Sequence, residues 1–274
     1  MSRQPIFNVP AVVIGLVAVL ALAHAARLAL PDDRDARLLA ATAFVPGRVT
    51  MTFAPHRVAN ALATLAKVDA APDGAAAAGL FFLGEGTSQP WTVVTYALLH
   101  ADWTHLGLNV MWLLAFGVPV ARRLGSGRFL VFCALGSVAG AAAHWLTDPV
   151  SLQPLIGASA AVSACMGAAT RFAFQTDPAR RFQPPALAPR LSLTGVLADR
   201  RALGFVLVWA VATIVTGVLA VPLGLSAFPI AWQAHFGGFV FGLLALPMFD
   251  RQAAMGGPPD AAAVPEGGAD TRPS

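Results

Sequence analysis

Histidine, serine and asparagine inside apolar runs are where this chain could do chemistry. His105 and Asn109 stand four residues apart in one such run, Ser159 follows Gly157-Ala158 at the start of another, and His235 lies in a third. A Ser beside a His is the minimum for an activated nucleophile. The imidazole takes the hydroxyl proton on attack and returns it to the leaving amine. Acyl transfer also needs N–H donors for the developing oxyanion. The Asn109 amide, His105 and the backbone N–H of Ser159 at a helix start can supply them. No carboxylate lies within these runs, and the nearest, Asp102 and Asp148, fall at their ends. The residues therefore support a Ser–His dyad and not a triad.

The elements that must position these residues follow from composition. Of 274 residues, 57% are hydrophobic and 12% charged, against about a quarter charged in a soluble domain. With a mean hydropathy of +0.66, this excludes a disordered chain, a coiled coil and an ordinary soluble enzyme. It indicates an all-α, polytopic membrane helix bundle in a lipid bilayer. The net charge of +4 does not mark a nucleic-acid binder, because the basic residues do not cluster with aromatics. They flank apolar spans instead. Cys133 and Cys165 sit in apolar segments and read as small packing residues, not as a disulfide scaffold.

Six transmembrane spans are read near 8–30, 100–120, 127–146, 157–174, 202–222 and 231–249. The first also has features of a cleaved signal peptide, with Arg3 and Ala23-His24-Ala25, but its apolar run continues to Leu30, which favours a retained helix. Arg122, Arg123 and Arg128 flank one turn, and the 171–201 connection carries six arginines, whereas 147–156 and 223–230 carry no Lys or Arg. The positive-inside rule then puts both termini in the cytoplasm. The expected organisation is a first helix (1–30), a long external and partly membrane-associated loop (31–99), a catalytic bundle (100–249) and a disordered cytoplasmic tail (250–274). Within the loop, Leu38–Val45 is apolar enough to lie on the membrane.

Spans two, four and six run from outside to inside, so His105 and Asn109, Ser159, and His235 should share a depth just below the outer surface. His105 and Asn109 share a helix face. Ser159, Ser163 and Gly167 form a small-residue stripe. His235, Gly238 and Gly242 form another, with Gly238 and Gly242 a GxxxG pair of the kind that lets helices approach closely in lipid. Packing of the two stripes would bring Ser159 to His235. Each residue also has a plainer reading: a Ser as packing, an Asn as helix glue, and His24, His56 and His144 as solvated or interfacial groups. Depth alone leaves both readings open. A metal site from His100, His105 and His235 is disfavoured, because His100 and His105 lie about 140° apart on an ideal helix and nothing completes the ligand set.

The stretches His100-Ala-Asp-Trp-Thr-His105-Leu-Gly-Leu-Asn109, Phe116-Gly117, Leu124-Gly125-Ser126-Gly127-Arg128-Phe129, Gly157-Ala158-Ser159 and Ala234-His235-Phe-Gly-Gly238-Phe-Val-Phe-Gly242 resemble the rhomboid family of intramembrane serine proteases. The resemblance covers about residues 91–249. It implies cleavage of transmembrane protein substrates near the outer face, with no cofactor and no metal. It implies Ser159 as nucleophile, His235 as general base, His105 and Asn109 as the oxyanion pair, Gly157 as the motif glycine, and Gly238 and Gly242 as packing glycines. His100 and Ser163 are expected to line a water cavity, and the fifth span, with Gly217, to gate lateral entry. A bacterial inner membrane is the expected location.

Four departures stand out. Ala160 replaces a frequent Gly, and its methyl is expected to loosen the helix contact. Ser163 replaces an aromatic residue that commonly stacks on the base. Ala121 replaces a frequent Glu, and no Trp-Arg pair stands in 31–99. The alternative is a catalytically weak or inactive rhomboid-like binder of membrane proteins. Its mark would be loss of Ser159 or His235, and both are present.

Overall fold

A computed structural model describes residues 9–68, 74–84, 86–174, 188–224 and 230–250. The expected tail beyond Asp250, and Arg180 and Arg181, lie outside the described residues. The described chain is all-helical apart from one isolated β-bridge between Phe44 and Leu155. Among the described residues, five helical segments are long and apolar enough to cross a bilayer: α1 (Ala11–Leu28); α7 (Trp103–Trp112), continuing through a π segment (Leu113–Gly117) into α8 (Val118–Leu124); α9 (Ser126–Thr147); α12 (Arg200–Leu219); and α13 (Trp232–Phe249). The chain is an integral, multi-pass membrane protein.

The expected fourth span is shorter than read. α10 (Ser159–Thr170) has 12 residues, about 18 Å, against a hydrocarbon thickness of ~30 Å. Residues 148–158 precede it without helix, interrupted by Pro149, Pro154 and Gly157. Every residue from Ala160 to Thr170 is buried. Irregular backbone at membrane depth is tolerated where protein satisfies its polar groups, and short helices from 32–98 do this here. These are α2 (Asp32–Thr42), α3 (Pro46–Met51), α4 (Pro55–Val68), α5 (Ala75–Leu83), α6 (Thr92–Thr95) and a 3-10 turn (Tyr96–Leu98). Leu155 N–H donates to the Phe44 carbonyl at 2.7 Å and Gly47 N–H to the Ser151 carbonyl at 2.8 Å. Thr50 Oγ1 donates to the Pro149 carbonyl at 2.5 Å and accepts from Trp145 Nε1 at 3.1 Å. Leu152 packs with Val58 and Leu83. Phe44 and Val45, expected to lie on the membrane, are buried.

Small residues set the packing around α10. A Cβ on Gly238 would lie 2.0 Å from the Ala160 carbonyl oxygen, and one on Gly242 1.9 Å from that of Ala164. A Cβ on Gly167 would lie 2.1 Å from the Phe239 carbonyl oxygen. The two helices run parallel in backbone contact, as the small-residue pattern requires. The seam on α10 is Ala160–Ala164–Gly167, however, not Ser159–Ser163–Gly167. The helix is turned by about 100°, one residue, from the expected orientation. Nor does the Ala160 methyl loosen this contact. It points at α9, 2.4 Å from where a Gly140 Cβ would be, as the Ala164 methyl points at Gly136 at 2.6 Å. Gly136 and Gly140 thus form a second GxxxG seam, readable in the sequence as the same motif.

The opposite end of the bundle is tied by charge. Arg123 pairs with Asp250 at 2.7 and 3.0 Å, with both side chains almost wholly buried. Arg190 stands 3.7 Å from the same carboxylate. Asp250, 127 residues away, brings a carboxylate to Arg123, two residues after Ala121. Breaking a buried pair leaves an uncompensated charge. Asp250→Asn is therefore expected to cost about 3 kcal/mol or more, measured as a loss of thermal stability in detergent. α12, between α11 (Leu193–Ala198) and α13, packs on α13 by stacking Trp209 on Phe239 at 4.0 Å. Gly217 is a packing site, with Trp232 where its Cβ would go.

Candidate active site

The seams place Ser159. Ala160 is level with Gly140, seven residues before the end of α9, so Ser159 lies about 10 Å below that end. This is deeper than a first turn at the surface, because the chain enters as a loop and begins its helix at depth. On the parallel register of Gly238 with Ala160 and Gly242 with Ala164, His235 falls level with Gly157, about 3 Å above Ser159 along the axis. Both residues are part-buried. Among the described residues, no hydrogen bond holds the Ser159 hydroxyl or the His235 ring, so neither is committed to another group.

His105 joins them from α7. Gly157 has φ +111°, a conformation that L side chains rarely adopt. A Cβ there would stand 2.8 Å from His105 Cε1 and Nε2 and 3.9 Å from Ser159 Oγ. The His105 imidazole and the Ser159 hydroxyl therefore border one notch, which exists because residue 157 has no side chain. The Gly157 N–H is held by the Tyr96 carbonyl at 3.0 Å, and Tyr96 is fixed by its hydroxyl donating to the Ser137 carbonyl at 2.8 Å. Tyr96 is a support that the sequence reading missed, although it is the chain's single tyrosine. Gly157→Ala is expected to displace His105 and reduce turnover by on the order of tenfold or more. Steady-state kinetics on a reporter segment would check this.

Asn109 Nδ2 donates to the His105 carbonyl one turn back, at 2.9 Å. It braces the helix and keeps a second N–H for other use. Asp102 is the N-cap of α7, accepting the His105 N–H at 2.7 Å, so this carboxylate belongs to the helix start. The Ser159 N–H, at the first position of α10, has no intrahelical acceptor.

His100 and Ser163, expected to line a water cavity, are both buried. His100 is fully buried and stands before α7, not inside the span, with its ring 5.1 Å from that of His105. Ser163 is buried within α10. His24 and His144 are also buried within the protein, whereas His56 is exposed. Among the described residues, no group of three His, Cys, Asp or Glu side chains could hold a metal ion.

A short central helix that begins at Ser159 runs parallel to, and in backbone contact with, the helix that carries His235, and His105 of α7 borders the same notch as the Ser159 hydroxyl, a polar site inside a bundle of membrane helices. The rhomboid domain matches residues 87–252, more than half of the chain, and the protein belongs to the rhomboid family. Over 156 residues it is 31% identical to rhomboid protease GlpG of Serratia proteamaculans (strain 568), covering 57% of this chain and 47% of that one. It is 36% identical over 78 residues to rhomboid protease GluP of Bacillus subtilis (strain 168), covering 28% and 15% respectively. Against rhomboid-related protein 3 of Homo sapiens it is 37% identical over 81 residues, covering 30% and 20%. The matched stretches span less than half of each relative's own length.

Proposed function

We propose that this protein is an intramembrane serine endopeptidase that cuts transmembrane segments of membrane proteins with a Ser159–His235 dyad. The observation that carries this reading is the notch at Gly157, bordered by Ser159 Oγ and His105, and the register of the Gly238 and Gly242 seam supports it, since it sets His235 within about 3 Å of the height of Ser159 along the helix axis. The Ser159 oxygen attacks the scissile carbonyl carbon while its proton passes to His235. The tetrahedral oxyanion is met by His105, the free N–H of Asn109 and the Ser159 N–H. The C–N bond then breaks, and His235 delivers the proton to the departing amine. Water, activated by His235, hydrolyses the acyl-enzyme and restores the serine.

Ser159 lies toward the end of the bundle away from the arginines, which the positive-inside rule makes the outer side. The described helices between residues 32 and 98 then cover that face, and both termini are cytoplasmic. A bacterial inner membrane fits this arrangement. The substrate is a transmembrane protein reaching the site from the bilayer, with α12 as the moving element at its entry. No cofactor enters the chemistry. The reading is tested with purified protein in liposomes carrying a reporter transmembrane segment, together with a fluorophosphonate probe. Cleavage and covalent labelling at Ser159 are expected, and wild-type protein that does neither sinks the proposal.

A further inference from the structure

α1 grips the segment that leads into α7 at two points. Arg27 holds Asp35 of α2 with a two-pronged contact, Nε to Oδ1 at 2.7 Å and a terminal nitrogen to Oδ2 at 2.9 Å. Its remaining terminal nitrogen donates to the His100 carbonyl at 2.9 Å. One turn earlier on the same face, His24 is buried with its ring perpendicular to Trp103, centroids 4.7 Å apart. These two contacts flank Ala101 and Asp102, and Asp102 caps α7 on the His105 N–H.

His100 connects this grip to both sides of the candidate oxyanion pocket. Its ring packs edge-on against the His105 ring at 5.1 Å. Its Nε2 receives the Ala158 N–H, just before Ser159, at 3.5 Å, the outer limit of a hydrogen bond. The Ala101 N–H faces His105 Nδ1 at the same distance. A shift of the His100 backbone therefore moves the His105 imidazole and the peptide leading to the nucleophile together. Hydrogen bonds to an ion pair are stronger than neutral ones, and an arginine already locked by a carboxylate loses little freedom in making a third bond.

We infer that Arg27 is a positioning residue for the reaction: locked by Asp35, it sets the His100 backbone and, through His100, the orientation of His105 toward Ser159. The first helix is then a working part of the catalytic apparatus rather than only an anchor. This inference rests on the proposed roles of Ser159 and His105.

The test uses the full-length protein and two readouts, the rate of Ser159 labelling by a fluorophosphonate and the separate kcat and KM on the reporter segment. Arg27→Gln is expected to slow labelling and kcat by roughly tenfold or more, with KM changed by less than about twofold. Arg27→Lys keeps the charge but loses the fork, so its rates are expected between those of Arg27→Gln and wild type. Leu20→Ala removes buried packing about two turns earlier on α1. It is expected to lower thermal stability while leaving both rates unchanged per folded molecule. Folded Arg27→Gln that labels and turns over at the wild-type rate overturns the inference and leaves the proposed function standing. If Arg27→Gln does not fold, Arg27→Lys decides by the same two rates. Wild-type protein that neither labels nor cleaves overturns both.

Discussion

Ser159→Ala is expected to abolish cleavage of the reporter segment, a fall of at least roughly a thousandfold, and to abolish fluorophosphonate labelling. The magnitude follows from removing the atom that forms the covalent bond, since what remains is binding and the oxyanion donors. The change should be nearly silent for the fold. The Ser159 side chain does not cap α10, no hydrogen bond holds its hydroxyl, and Ala is the better helix former. Thermal unfolding in detergent is therefore expected at the wild-type temperature. Ser163→Ala, one turn along the same helix, is the matched control. It removes an identical hydroxyl from a buried packing position and is expected to leave labelling intact. Cleavage surviving in Ser159→Ala would mean that another group is the nucleophile.

The second large effect is structural, at the glycine seam. In Gly242→Val the new Cβ would fall 1.9 Å from the Ala164 carbonyl oxygen, and backbone cannot yield as a side-chain tip can. α13 must move away from α10, losing close contact along the whole seam, and an overpacking cost of about 3 kcal/mol or more is expected. Because α13 also carries His235, the same displacement should remove activity from any molecules that remain folded. Gly204→Ala on α12 is the contrast, since nothing lies within 4 Å of its Cβ position. That change is expected to be neutral or to stabilise by up to about 1 kcal/mol, as helix propensity favours Ala. Circular dichroism melts of the two variants side by side would check the difference. Equal melting temperatures would refute the seam as a close backbone contact.

How much was legible in the chain can be judged residue by residue. The small-residue patterns around Gly238 and Gly242 announced a close helix pair, because in lipid there is little else to hold helices together than packing and hydrogen bonds. The same rule applied to Gly136 and Gly140 would have found the second seam. Hydropathy placed the long apolar helices to within a few residues, because a bilayer demands length and apolarity. It overestimated α10 because apolar composition does not distinguish a helix that faces lipid from a short one surrounded by protein. Its proline-broken approach was visible, but the helices of 32–98 that satisfy that loop's backbone were not.

By itself, the sequence determined that this is a multi-pass helical membrane protein and that its rare intramembrane polar groups are the candidates for chemistry. Both conclusions follow from the cost of placing polar groups in hydrocarbon, which composition alone records. Only the tertiary structure decided which face of α10 meets α13. Moving the seam from Ser159 to Ala160 is a rotation of about 100°, and both registers offer small residues, so periodicity could not choose between them. Burial of His24 and His100, and the reach of Arg27 to a carbonyl 73 residues away, were likewise beyond the linear chain. These contacts are made between helices, and their partners are set by packing and not by spacing along the sequence.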